Sequence, residues 1–124
     1  LITSSAASDV YKRQGIYKEF SGVVEEIDEG DEIAKALGDK KVAILQNHGI
    51  LTTGPSVDIA LWFYMSMERC CQAQLMAEAA GKPISVSHET AVKTREFIAN
   101  DIAAWASYQP AFDKIIKMQP DLLD

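Results

Sequence analysis

Two short apolar runs enclose a polar kink near the middle of the chain, and the rest of the pattern is arranged around them. Val42-Ala43-Ile44-Leu45 is a continuous apolar run of strand length, and Ile50 to Thr53 is a second, β-branched run closed by Gly54-Pro55. Between them Asn47 and Gly49 are residue types that tolerate the left-handed backbone of a tight connection, so Val42 to Thr53 predicts a buried hairpin with His48 at its turn. Beyond Gly54-Pro55, Ser56 is placed to cap a helix and Asp58 suits its first turn. Gly81 with Lys82-Pro83 behind it is a stop, so the helix is expected from about Val57 to Ala80. Counting in threes and fours, Val57, Leu61, Tyr64, Met65, Cys71, Leu75 and Ala79 form its expected inner stripe, widened by Ala60, Met67 and Met76.

The flanks are read in the same way. Phe20, Val23, Val24 and Ile27, interrupted by Ser21-Gly22, suggest a short strand or irregular edge between Tyr17 and Ile27. A helix is expected over Asp28 to Leu37, with Asp28 as cap, Ile33, Ala36 and Leu37 on its inner face and Gly38 as its stop. Ser87 is placed to cap a last long helix whose inner face would be Val92, Ile98, Ile102 and Trp105. Pro110 is expected to interrupt it, leaving a short amphipathic segment from Phe112 to Met118. Residues 1–14 have no sustained period and many small polar residues, which predicts an unpacked tail.

Composition narrows the class. A chain of 124 residues, 48% hydrophobic, fits one ordinary domain, and a net charge of −6 argues against polyanionic partners such as nucleic acid or an anionic membrane surface. No run of apolar residues is long enough to span a bilayer. The two cysteines, Cys70 and Cys71, are adjacent on the long helix and diverge by about 100°. They form neither a CxxC pair nor a disulfide framework, and the cytoplasm is the expected compartment. Phosphate-cradling and nucleophile-elbow motifs are absent, and the acidic stretch Glu25 to Glu32 lacks EF-hand spacing.

His48 is the candidate for chemistry. A turn histidine of this kind is either bound to a nearby backbone group or serves as a metal ligand or acid-base group. His88 sits at a helix start beside Glu89 and reads as a solvated surface residue. Glu68 falls inside the apolar stripe, where it either reaches solvent at the stripe's edge or supports a ligand histidine as a hydrogen-bond acceptor.

The stretch ILQNHGILTTG, followed by a long helix carrying SMERCCQAQLMAEAAG, resembles the C-terminal half of the class II aldolase/adducin family from about Gly15 to the end of the chain. That resemblance implies an α/β fold, part of a three-layer α/β/α domain with a mostly antiparallel sheet and long covering helices. It implies that His48 is one of three histidines holding a catalytic divalent metal, usually zinc. The other two, in an HxH, and the catalytic acidic residue have no counterpart in this sequence. The implied activity is that of a metal-dependent lyase, cleaving a carbon-carbon bond through a metal-stabilised enediolate. The implied partners are a small-molecule substrate such as a sugar phosphate or a hydroxy or keto acid, and further copies of the chain in a homotetramer. The family also contains adducin-like members that act as interaction or structural modules without metal chemistry. SSAASDVYKRQ additionally resembles translated sequencing-adapter DNA. Residues 1–14 are therefore expected to be non-native or disordered, residues 15–124 to be the C-terminal part of such a domain, and the natural protein to continue upstream. As given, the chain is expected to be inactive alone.

Overall fold

The computed structural model describes residues 14–18 and 27–123, with the backbone alone at 27 and 28. The expected non-native tail and the apolar positions Phe20, Val23 and Val24 fall outside the described residues, Gln14 excepted. Among the described residues three strands, β1 (Gly15–Tyr17), β2 (Val42–Leu45) and β3 (Gly49–Thr52), form one sheet in the order β1-β2-β3. Four helices accompany them: α1 (Ile27–Leu37), α2 (Val57–Ala80), α3 (His88–Ile98) and α4 (Asp101–Met118), followed by a 3-10 turn at Pro120–Leu123.

The hairpin β2–β3 supplies the antiparallel pairing that the sequence predicts, with Val42 opposite Thr52 and Leu45 opposite Gly49. β1 joins β2 in parallel, Gly15 opposite Ala43, because the chain between them carries α1 and so completes a crossover. β1 is not foreseen by the hydrophobic pattern, since three residues hold no period of their own.

Side-chain alternation fixes the layers. Gly15 and Ala43 are register partners and share a face, and a Cβ built on Gly15 would lie 2.1 Å from the Ala36 carbonyl oxygen of α1. α1 therefore covers that face at a separation that only glycine permits, and Ala43 is fully buried there. On the opposite face Val42 packs with Ile59, Phe63 and Met67 of α2 and Ala104 of α4. Thr52, on the same face as Val42, donates its hydroxyl to the Ala60 carbonyl at 3.0 Å. The described residues thus stack as α1, sheet, and then α2 with α4, in agreement with the three-layer expectation.

α2 has the predicted bounds, and the Gly81 N–H closes it on the Ala77 carbonyl at 3.1 Å. Of the predicted inner face only Met67 is fully buried, with Cys71 packed against the core beside it. Ile59, Phe63, Met67 and Ala77 are buried, whereas Val57, Leu61, Tyr64, Leu75 and Met76 are exposed. The helix is apolar on every side, so spacing alone does not choose the face; the sheet and α4 choose it. Ser56 occupies the N-cap position without accepting a hydrogen bond there. Its hydroxyl bonds instead to the Asp58 carboxylate, which also accepts the Ile59 N–H at 3.1 Å.

The expected single last helix is two. Asn100 divides them: its Nδ2 donates to the Phe97 carbonyl at 2.9 Å, and its Oδ1 accepts the Ala103 N–H at 2.9 Å. One side chain thereby ends α3 and starts α4. Pro110 lies inside α4 and does not end it. The predicted inner positions Ile98, Ile102 and Trp105 are exposed, and alanines take their place, Ala91 on α3 and Ala104 on α4. Close helix packing selects the small residue, which a count of large apolar side chains passes over. Ser87 caps α3 as expected, accepting the Thr90 N–H at 3.2 Å. α1 starts at Ile27, one residue before the expected cap Asp28. Its end is as predicted, with Gly38 at φ +57 donating to Ala34.

Candidate functional site

The sheet holds His48 through the backbone. The Leu45 carbonyl accepts the His48 N–H at 3.0 Å, closing a turn over Leu45–Gln46–Asn47–His48. Asn47, third in that turn, has φ +61, where asparagine and glycine are the favoured residues. Gly49 is not left-handed as the sequence reading allowed; it is the first residue of β3, paired with Leu45. The Gln46 N–H donates to the Tyr17 carbonyl at 2.9 Å, so the turn is tied to β1 as well as to its own strands. His48 lies exposed at the sheet's end.

The base of the hairpin is anchored as firmly. The Thr53 N–H donates to the Lys41 carbonyl at 2.9 Å. The Lys41 ammonium lies 5.9 Å from the centre of the Phe63 ring and 3.1 Å from an Asp101 carboxylate oxygen, joining the hairpin to α2 and to the start of α4. A Cβ at Gly54 would come within 3.0 Å of the Ile59 side chain, which lets α2 begin directly against the end of β3.

The remaining candidates are not gathered around the turn. His88 is exposed as the first residue of α3, and Glu68 is exposed on α2. Cys70 and Cys71 are half-buried on α2. Burial pushes both thiols up from their ordinary value, with the neighbouring Cys71 adding to the rise at Cys70 and the Glu68 charge adding to it at Cys71. That is the opposite of an activated nucleophile. Among the described residues no group of three or more His, Cys, Asp or Glu is placed to hold a metal ion. A catalytic zinc site takes about three protein ligands, and the described residues fit one such position, at His48, and not the whole site.

A cleft of about 370 Å³ opens between α2, α3 and α4, walled by Trp62, Phe63, Phe97 and Ile98, with Arg95 and Cys70 among its lining. Sequence reasoning missed it, because it depends on the break at Asn100 that turns α3 away from α4. None of its lining residues belongs to the hairpin. No helix among the described residues is long and apolar enough to cross a membrane.

Against known proteins, the family model described as Class II Aldolase and Adducin N-terminal domain matches residues 2–75. Decarboxylase NovR of Streptomyces niveus is 35% identical over 116 residues, covering 94% of this chain and 43% of the relative. A structure of L-fuculose 1-phosphate aldolase from Glaciozyma antarctica PI12 superposes with a TM-score of 0.82 at 32% identity, over 97% of this chain and 45% of that one. Gamma-adducin of Rattus norvegicus is 31% identical over 64 residues, 51% of this chain and 9% of the relative. The chain spans less than half the length of the first of these relatives.

Proposed function

The chain belongs to the class II aldolase and adducin family, and on that premise we propose that it is part of a divalent-metal-dependent lyase of the aldolase type. A decarboxylase and a sugar-phosphate aldolase are among its relatives, and both names describe the breaking of a carbon-carbon bond. The observation that carries the reading is the His48 turn. Its backbone is bonded to its own hairpin and to β1, which presents one imidazole on a stiff support at the end of a sheet. In this reading His48 is one metal ligand, zinc is the ion, and the remaining ligands and the acid-base group come from outside this chain. The bound ion would supply Lewis-acid chemistry to a substrate carbonyl or hydroxyl. The chain's own contribution is to fix the position and direction of one ligand. A small sugar phosphate or a hydroxy or keto acid is the proposed substrate class, a homotetramer the proposed assembly and the cytoplasm the proposed compartment.

Zinc titration by calorimetry tests this, run on the 124-residue chain and on a polypeptide extended to the length of the relatives, each beside His48→Ala. The expected result is weak binding by the chain as given. The extended polypeptide should bind stoichiometrically and lose that binding in His48→Ala. Stoichiometric sub-micromolar binding by the short chain, lost in the variant, would show that it builds a complete site of its own. Indifference of the extended polypeptide to His48→Ala would favour the second reading, a non-catalytic module, for which the gamma-adducin similarity speaks.

A further inference from the structure

The cleft between α2, α3 and α4 follows from where small residues fall. On α2, Trp62, Ser66 and Cys70 are four apart and share one side of the helix, and on α4 Ala103 and Ser107 do the same. Ser66, Ala103 and Ser107 are too small to fill the space that opens where the break at Asn100 turns α3 aside, and about 370 Å³ is left. That volume lies within the range of about 300–1,000 Å³ usual for small-molecule pockets. Phe63, itself part of the core, joins the cleft to it, and Trp62 packs against the same core. Phe97, 81% exposed, stands at the rim.

The lining is mostly apolar, and its charge has one sign. Among the described residues Arg95 is the charged side chain of the cleft, and no aspartate or glutamate lines it, although the chain as a whole carries a net charge of −6. Arg95 is half-buried and also interacts within the chain. A guanidinium has five donors in a planar fork, enough to keep such a contact and still donate to a carboxylate at two points. The Ser66 and Ser107 hydroxyls add donors from the two longer helices. Aromatic walls, a guanidinium and hydroxyls around one small space match a ligand with a flat apolar body and one anionic end.

We propose that this cleft is a binding site for a small aromatic carboxylate, its ring against Trp62 and Phe97 and its carboxylate on Arg95. The inference goes beyond the proposed function and rests neither on His48 nor on a metal, since among the described residues no part of the hairpin lines the cleft. A neutral aromatic amide of the same shape meets the same walls but makes no ion pair. Hydrogen bonds between ionised groups are about twice as strong as neutral ones, so the amide should bind about tenfold more weakly.

Titration of the full 124-residue chain with cinnamate in the presence of a metal chelator, followed by calorimetry and by NMR of the backbone amides, tests the site. Cinnamamide is the neutral comparison. The expected result is saturable binding of cinnamate with a Kd below about 1 mM, amide shifts centred on Ser66, Cys70 and Ala103, and the tenfold weaker binding of cinnamamide. Arg95→Gln should bring cinnamate down to the affinity of cinnamamide, and Arg95→Lys should keep part of the difference, because it retains the charge without the fork. Ala103→Phe, which fills the cleft, should remove both; where that variant loses its helical circular dichroism, the Arg95→Gln comparison decides alone. Absence of saturable binding overturns the inference. Equal binding of the two probes, unmoved by Arg95→Gln, overturns it by showing an apolar patch only. Shifts centred on Val57, Tyr108 and Phe112 overturn it by placing the ligand in the groove between α4 and the start of α2. Loss of cinnamate binding in a polypeptide extended to the relatives' length overturns it by assigning the cleft to the rest of that fold.

Discussion

The hairpin and the helical layer differ in what determines their interior. In the hairpin, strand alternation leaves each side chain two choices of face, and the turn is fixed by the backbone of Asn47 at φ +61. In α2 apolar side chains point in every direction, and the buried set of Ile59, Phe63 and Met67 is selected only by what packs against it. Local chemistry specifies the first region; neighbours specify the second. The difference shows why the position of His48 follows from short-range rules while the inner face of a helix next to it does not.

The sharpest test of that contrast is a pair of substitutions on one helix. Met67 is fully buried, so Met67→Ala should cost about 2–5 kcal/mol in urea unfolding. Leu75→Ala, at a position of the same helix that is 68% exposed, should change stability by no more than about 0.5 kcal/mol. Equal costs would mean that both faces are covered and would dissolve the comparison. Next in size is Gly15→Ala, whose new methyl meets the Ala36 carbonyl and should cost about 3 kcal/mol by forcing α1 away from β1. A neutral result by the same measurement would show that α1 is not seated on that face.

The hairpin side of the comparison gives smaller effects. Asn47→Ala should cost about 1–2 kcal/mol, and Asn47→Gly should be close to neutral in thermal unfolding, because only the left-handed backbone is at stake. Smallest is the start of α2. The Ser56 hydroxyl, aided by the Ile59 N–H, holds the Asp58 carboxyl below its ordinary value of 3.8. A lowered folded-state value favours the native state above pH 3.8 and loses that contribution as the pH falls through the folded value. A carboxyl titration followed by NMR should show the Asp58 midpoint rising in Ser56→Ala. An unchanged midpoint would remove the hydroxyl as its cause.

How far the sequence carries depends on the range of the forces involved. The hairpin, the bounds of α2 and the cap at Ser87 follow from residues a few positions apart. β1 does not, since Gly15–Tyr17 is a strand only because β2 is available to pair with it. The break at Asn100 had a local signal in the Asn100-Asp101 pair, but Pro110 is the louder helix breaker and drew the boundary to the wrong place. Ala104 was hidden by its size. At the candidate site, the turn that aims His48 is a local feature. A complete set of ligands is a tertiary property, and among the described residues the set does not come together.

The hydrogen bond from Gln46 to Tyr17 also has a consequence in time. The hairpin joins residues close in sequence and closes on the microsecond scale. The parallel pairing of β1 must first bring together positions separated by the whole crossover and α1, a slower closure. The Gln46 amide is therefore among the last sheet groups to be secured as the chain folds. The turn that carries His48 closes with its hairpin, and its tie to β1 follows.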